Sequence, residues 1–234
     1  VGSEQKLHFQ QLFKTLELAG LEWAKDLVHV DHGLYLGEDG RKFSTRKGKI
    51  VFMEDILNEG IKKANSIIKE KNPKLKNKEK IAEKIAVGAI KYGDLKNDRI
   101  NDVVFNWNKF LDFNGETGPY IQYAHVRACS VLKKSKLKRK IDYSLLNKES
   151  EIELIKHLNE FSKIVNKAAL EYKPHIVAKY VYDLAKKFND FYEKIPVLKA
   201  ENKLKNARLG LVFCVRQVLE NGLNLLGIEA PREM

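Results

Sequence analysis

The chain has 234 residues, of which 44% are hydrophobic, so it has enough apolar side chains to form a core and is not expected to be disordered. Its net charge of +12 favours polyanionic partners, such as RNA, DNA or an anionic membrane, without choosing among them. No apolar run approaches the roughly 20 residues that span a bilayer, and no export signal opens the chain, so we expect a soluble intracellular protein. Cys129 and Cys214 lack a Cys-x-x-Cys partner, which argues against a zinc site or a disulfide framework.

Mixed helix and strand is predicted for the first fifty residues. Apolar spacing predicts a helix over 5–18, and residues 1–5 resemble the end of a strand that enters it, which predicts that the chain begins inside a domain. The β-prone runs 27–30 and 34–36 predict two strands separated by a turn. A basic loop at 41–49 is closed by residues 50–52, which could return as a strand.

The rest of the chain is predicted to be helical. A first helix follows Glu54 and is broken at Pro73, and a second ends before Gly93. The run 103–107 fits either a strand or a buried helix, and the turn residues at 114–119 place a domain boundary nearby. Apolar spacing then predicts one helix over 152–172, another starting at Pro174 and a central one over 201–226, which together indicate an all-α bundle.

The basic loop at 41–49 holds five cations around small and hydroxylated residues. Such a loop can close over a triphosphate and stabilise the charge on leaving pyrophosphate, although composition alone fits a solvated turn better. Its segment Lys42-Phe43-Ser44-Thr45-Arg46 resembles the mobile Lys-Met-Ser-Lys-Ser loop of class I aminoacyl-tRNA synthetases, with Thr45 in place of the second Lys, as is frequent in arginyl-tRNA synthetases. The resemblance implies catalytic roles at the triphosphate for Lys42, Ser44 and Arg46, and ATP binding by Lys47.

Two further segments resemble the arginyl enzymes. The opening Gly-Ser-Glu-Gln-Lys-Leu-His-Phe is similar to their Asp-x-x-Gln-x-x-His-Phe segment, which implies that Gln5 and His8 approach ATP. The run 29–33 resembles their His-x-x-(aromatic or His)-Gly strand, which implies that His29 and Gly33 lie beside the adenine. Without the family, His8 is better explained as a helix-face histidine bonded to backbone.

The helical half carries the sharpest resemblance. Residues 116–127, Glu-Thr-Gly-Pro-Tyr-Ile-Gln-Tyr-Ala-His-Val-Arg, resemble the first helix of the arginyl anticodon-binding domain, and 206–228 resemble its last helix. Aromatic rings at Tyr120 and Tyr123 can stack on splayed anticodon bases, with core packing as the alternative for each. The resemblance also implies that Tyr192 and Met234 lie beside the anticodon.

The predicted fold class is mainly α. Residues 1–110 are predicted to be the end of a class I Rossmann-like catalytic domain with few short strands, and residues 111–234 an all-α anticodon-binding bundle. The implied function is arginine–tRNA ligation, with ATP and Mg²⁺, arginine and an arginine tRNA as substrates and partners, no zinc or other metal site, no DNA or membrane, and a cytoplasmic location.

Two other classes of protein remain open as alternatives. A non-catalytic helical RNA-binding module explains the charge and aromatic residues but gives the loop at 41–49 no purpose. A cysteinyl or methionyl synthetase would share the loop, but the segment at 117–125 favours the arginyl enzymes. The phosphate motif and the arginine pocket of the family belong to a preceding half, so we expect the chain alone to bind tRNA without aminoacylating it.

Overall fold

The computed structural model describes residues 1–37, 40, 52–135 and 140–234. Within them the chain forms nine α-helices, which are α1 (Lys6–Leu18), α2 (Met53–Lys71), α3 (Lys78–Leu95), α4 (Trp107–Phe110), α5 (Gly118–Lys133), α6 (Glu149–Asn159), α7 (Phe161–Glu171), α8 (His175–Lys194) and α9 (Asn202–Leu225). The two strands are β1 (Tyr35–Leu36) and β2 (Val103–Val104), and short 3-10 turns occur at Ser3–Gln5, Glu22–Asp26 and Tyr143–Leu145. The prediction of a mainly α fold is confirmed.

The chain divides into two compact units. The first comprises Val1–Ile50 and Asn97–Asn106, and the second comprises Val51–Lys96 and Trp107–Met234. In the first unit β1 pairs in parallel with β2, with Tyr35 opposite Val103 and Leu36 opposite Val104. The predicted strand at 27–30 does not form, and the returning strand predicted at 50–52 falls mostly outside the described residues.

The second unit is built around α5, α8 and α9. Their buried apolar faces meet in one core. α6 and α7 pack on α8 and add side chains to this core. α2 packs on α3, and α3 packs on α5. α5 begins at Gly118, because the Thr117 side chain accepts a hydrogen bond from the Tyr120 amide and Pro119 occupies the first turn. The prediction that the last helix is central is confirmed by its buried stretch from Asn206 to Val212.

A buried ion pair ties α6 to α9. Arg208 Nε lies 2.7 Å from Glu151 Oε1, with both side chains almost fully buried. Arg208 also donates to the Pro196 carbonyl at 3.2 Å, and the other Glu151 oxygen accepts from the Lys148 amide at 2.9 Å. Because both charged groups have further hydrogen-bond partners, the pair can remain buried without an uncompensated charge.

The single helix predicted over 152–172 is wrong, since α6 and α7 are separated at Glu160. The carbonyl of His157 accepts both from the Glu160 amide at 3.1 Å and from the Tyr180 hydroxyl at 2.8 Å. The first of these bonds spans three residues instead of four, so the turn tightens and the helix breaks. The His157 and Tyr180 rings also stack, with centroids 4.3 Å apart.

None of the helices in the described ranges combines the length and the apolar character needed to cross a membrane.

Candidate functional site

The first group of predicted site residues lies in the first unit. Gln5 is exposed at the N-terminal end of α1, and His8 is exposed one turn later. The His29 ring stacks on Phe9 with centroids 4.3 Å apart, and the His8 ring meets the same phenylalanine edge-on at 5.5 Å. The structure therefore gathers His8 and His29 around Phe9, where α1 meets the segment that leads into β1.

Backbone contacts fix the segment around His29. Its Nε2–H donates to the Val1 carbonyl at 3.2 Å, because a carbonyl oxygen can only accept. Nearby, the Ser3 amide donates to the His32 carbonyl at 2.9 Å. A parallel bridge at Gly2 and His32 joins the two segments, as expected for residues 1–5 entering a helix from a strand.

Gly33 is buried, and its amide donates to the Arg99 carbonyl at 2.7 Å. A Cβ at this position would collide with the backbone of Asn101, so the close approach of the two segments requires glycine. Arg99 also donates to the Asp31 carbonyl and carboxylate, and this hydrogen bond holds the pKa of Asp31 below its usual value. These contacts fix the backbone at Gly33 against residues 99–101.

The predicted catalytic residues of the basic loop, Lys42, Ser44 and Arg46, lie outside the described residues, as does Lys47. Their roles at the triphosphate therefore stay predictions.

The second group lies in the helical unit and is organised by Arg127. Its guanidinium lies 5.2 Å from the ring centroid of Tyr123 on α5 and 5.1 Å from that of Tyr192 on α8. Arg127 Nη1 donates to Asn189 Oδ1 at 2.9 Å and lies 3.8 Å from a carboxylate oxygen of Glu193. The guanidinium thus lies close to both tyrosine rings and is held there by polar groups from α8, and we call Tyr123, Arg127 and Tyr192 the aromatic stack.

The aromatic stack is accessible to a ligand. Tyr123 is 42% exposed and Tyr192 is 36% exposed, although each is partly supported by its neighbours. Exposed aromatic rings beside a guanidinium are suited to stacking on the bases of a single-stranded nucleic acid. The permanent positive charge of Arg127 also attracts phosphate.

Tyr120 has a different environment. It is half-buried against the core, and its ring lies 5.5 Å from that of Tyr182. Burial raises the pKa of Tyr182, which keeps the Tyr182 hydroxyl protonated. Of the two tyrosines predicted on α5, Tyr123 thus joins the aromatic stack. Tyr120 packs beside Tyr182, and its role at the anticodon stays a prediction.

Met234 ends a tail that is held through its main chain. Its carbonyl accepts from Asn72 Nδ2 at 3.1 Å. Upstream, Gln122 donates to the Glu229 carbonyl at 2.9 Å, and the Nδ1–H of His125 donates to the Pro231 carbonyl at 2.8 Å. By helical geometry Gln122 and His125 point to the side of α5 roughly opposite to the aromatic stack, so the tail runs along a different face.

Arg127 and Asn189 were missed by the sequence prediction. Arg127 lies four residues after Tyr123, one turn along the same face of α5, and Asn189 lies one turn before Tyr192 on α8. Helical spacing from the two predicted tyrosines identifies both candidates. Their meeting depends on how α5 packs against α8, which spacing alone does not give.

Two family models match the chain. The model described as tRNA synthetases class I (R), catalytic domain, matches residues 1–107, and the DALR anticodon binding domain matches residues 121–234. The compact units instead group residues 51–96 with the helical half. The predicted division at 110/111 stays a prediction.

Similar proteins and structures agree with these models. An arginine–tRNA ligase of Halothermothrix orenii is 48% identical over 236 aligned positions, and one of Clostridioides difficile is 47% identical; each alignment covers 100% of this chain and 42% of the relative. The solved arginyl-tRNA synthetase of Thermus thermophilus has a TM-score of 0.89 and 36% identity, covering 95% of this chain and 38% of that one. That of Plasmodium falciparum has a TM-score of 0.84 and 25% identity, covering 100% and 40%.

The chain thus spans less than half the length of these relatives, and what it matches is their C-terminal portion. The two family models together account for most of its residues. The chain belongs to the arginyl-tRNA synthetase family.

Proposed function

We propose that the helical unit of this chain binds the anticodon loop of an arginine tRNA, as part of an arginine–tRNA ligase. The observation that carries this proposal is the aromatic stack, in which Tyr123 and Tyr192 are both exposed and both lie within 5.2 Å of the Arg127 guanidinium. Anticodon bases splay out of their loop and can stack on such a surface, at about 1–3 kcal/mol for each base.

The activity proposed for the complete ligase has two steps. The carboxylate of arginine attacks the α-phosphate of ATP, which gives arginyl-adenylate and releases pyrophosphate. A ribose hydroxyl at the end of the tRNA then takes the arginyl group, and AMP leaves. Mg²⁺ enters as the counter-ion of ATP.

In this scheme the chain contributes positioning and charge. Lys42, Ser44 and Arg46 would stabilise the triphosphate as pyrophosphate leaves, with Lys47 also binding ATP. These residues act through their charge and hydrogen bonds, and none of them serves as a general acid or base.

The remaining predicted ATP contacts lie around the first helix. Gln5, His8, His29 and the backbone at Gly33 would contact the nucleotide. The gathering of His8 and His29 around Phe9 supports this role, as does the exposed position of Gln5. The glycine at position 33 is required by the Asn101 backbone, so its proposed nucleotide contact rests on the family resemblance.

We assign residues 1–110 to the catalytic domain and residues 111–234 to the anticodon-binding domain. Met234 remains a proposed anticodon contact, although its tail lies on a different face of α5 from the aromatic stack. The absence of DNA, membrane and zinc partners, and the cytoplasmic location, stay predictions.

The experiment that tests the proposed function measures binding of the chain to three RNAs at two salt concentrations. The RNAs are an arginine tRNA, the same tRNA with a mutated anticodon, and an unrelated tRNA. We expect a loss of affinity on anticodon mutation that persists at the higher salt, because base stacking is less sensitive to salt than phosphate contacts are. Equal and steeply salt-sensitive binding to all three would contradict the proposal and favour a generic helical RNA-binding module.

A further inference from the structure

A groove of about 1320 Å³ lies in the helical unit between α3, α5, α9 and the tail residues 230–233. Part of its lining is apolar and comes from Ile81, Leu132 and Pro231. Phe213 on α9 also lines the groove and is 44% exposed. The groove borders the face of α5 that carries His125 and Cys129, which is roughly opposite to the aromatic stack.

The groove is strongly basic. Its lining holds one acid, Glu233, and five cations, namely Lys80, Lys84, Lys133, Arg216 and Arg232. An open groove lined mainly by one sign of charge concentrates ligands of the opposite sign.

Two of these cations already have acidic partners. Lys84 pairs with Glu229 at 2.5 Å, and Arg216 pairs with Glu220 at 2.8 Å. Lys80, Lys133 and Arg232 form no ion pair with any residue in the part of the chain that the structure describes. These three cations are therefore the ones that an anionic ligand would neutralise.

The groove also offers a stacking surface. The guanidinium of Arg216 lies 5.3 Å from the ring centroid of Phe213, and Glu220 and Gln217 hold it there through hydrogen bonds of 2.8 and 2.7 Å. A supported aromatic ring among unpaired cations matches a ligand with flat rings and regularly spaced negative charges. Single-stranded RNA has this chemistry, with bases for Phe213 and phosphates for the cations.

We propose that this groove binds a second segment of the RNA, with one base against Phe213 and the backbone phosphates along Lys80, Lys133 and Arg232. The inference rests on the proposed function and adds to it a contact surface on a separate face of α5. Because phosphate contacts carry no sequence information, the groove contributes salt-dependent affinity and leaves anticodon reading to the aromatic stack.

The two cysteines allow a direct test of occupancy. Cys129 lines the groove, whereas Cys214 does not, and burial raises the pKa of both half-buried thiols. The rate of alkylation of each thiol is measured with and without the arginine tRNA, at about nine times its Kd. Alkylation of Cys129 is expected to slow about tenfold, as mass action requires of a fully covered thiol, while Cys214 is unchanged.

The alkylation results distinguish RNA binding in the groove from anticodon reading by the aromatic stack. Unchanged alkylation of Cys129 under conditions where the tRNA is bound would overturn the groove proposal, even if binding depends on the anticodon. Equal protection by poly-glutamate would also overturn it, because the groove would then recognise charge of any kind. Protection by a tRNA whose binding ignores the anticodon would support the groove and contradict the proposed anticodon reading.

A matched pair of charge variants tests the phosphate contacts. The groove variant combines Lys80→Gln, Lys133→Gln and Arg232→Gln, and the control combines Lys156→Gln, Lys179→Gln and Lys199→Gln, which are exposed and lie outside the groove lining. Both remove three positive charges. The negative slope of log K for tRNA binding against log salt concentration is expected to become less steep, by about two to three, in the groove variant. The change should be equal for the arginine tRNA and its anticodon mutant. Equal slopes in the two triple variants would overturn the proposal.

Discussion

The two compact units are held together by different kinds of interaction. In the first unit the only buried hydrophobic residues among those described are Ala24 and Val103, and the apolar side chains of α1 are largely exposed, with Leu7 at 65%. Hydrogen bonds between backbone segments hold this unit. In the second unit a continuous apolar core joins α5, α8 and α9. We therefore expect that truncating a core side chain destabilises the second unit, and that disturbing a backbone contact destabilises the first.

The largest expected effect is on the core of the second unit. Phe188 on α8 is fully buried, so Phe188→Ala is expected to lower the free energy of unfolding by about 3–5 kcal/mol, through lost burial and the cavity left behind. Leu7→Ala on exposed α1 is the control and is expected to change it by less than about 0.5 kcal/mol. Denaturant unfolding followed by helical circular dichroism measures both. Similar losses for the two variants would contradict this difference between the units.

Gly33→Ala tests the backbone contacts of the first unit. The added methyl meets the backbone of Asn101, so we expect a local loss of about 1–3 kcal/mol. Amide exchange at Val103 and Phe105, which pair with β1, should become roughly 5- to 150-fold faster as local opening becomes easier. Gly2→Ala is the control, because a Cβ there has open space around it. Equal exchange in both variants would contradict the close approach at Gly33.

Thr117→Ala tests how the second unit presents α5. Thr117 accepts the Tyr120 amide and donates to the Asp112 carbonyl, so its loss should cost about 0.5–2 kcal/mol and speed amide exchange in the first turn of α5. Thr117→Ser keeps the hydroxyl and should preserve most of the protection. If the serine variant exchanged as fast as the alanine variant, the hydroxyl would not be the stabilising group.

The smallest expected effect is a pH dependence within the second unit. Burial lowers the pKa of both His125 and His157. As pH falls below about 6.5, these histidines therefore take up protons more readily in the unfolded chain than in the folded chain. The free energy of unfolding should then decrease, by at most about 1.4 kcal/mol per pH unit for each histidine. Denaturation at pH 7.5 and pH 5.5 measures the decrease, which His157→Gln should reduce. Unchanged stability between the two pH values would contradict the shifts.

Sequence predicted the helices of the second unit better than the strands of the first. Apolar spacing within one segment is enough to indicate α8 and α9. The strand pairing joins Tyr35 to Val103, far apart in the chain, and depends on contacts that no local pattern encodes. Gly93 was interpreted as a helix end, but it lies inside α3, where a Cβ would collide with the ring of Phe110. A glycine required by tertiary packing looks in sequence like one required by a turn.

In the candidate site, too, contacts between distant segments could not be predicted from local sequence. Tyr123 and Tyr192 were predicted from family resemblance, and the structure adds that one guanidinium joins them. Arg127 was visible in sequence as a cation one turn from Tyr123, but nothing local indicated that α8 would supply Asn189 to hold it. The groove beside the tail was not predicted, because its walls come from three helices and the C-terminal segment.

The most direct test of anticodon reading by the aromatic stack is the affinity of Tyr192→Ala for an arginine tRNA and for its anticodon mutant. We predict that Tyr192→Ala weakens binding of the arginine tRNA by roughly 5- to 150-fold, the loss of one stacked base. Binding of the anticodon mutant should change little, and Tyr192→Phe should retain the discrimination because the ring remains. Tyr143→Ala, which removes an exposed tyrosine elsewhere, is the control. If Tyr192→Ala discriminates between the two tRNAs as well as Tyr143→Ala does, the aromatic stack does not read the anticodon.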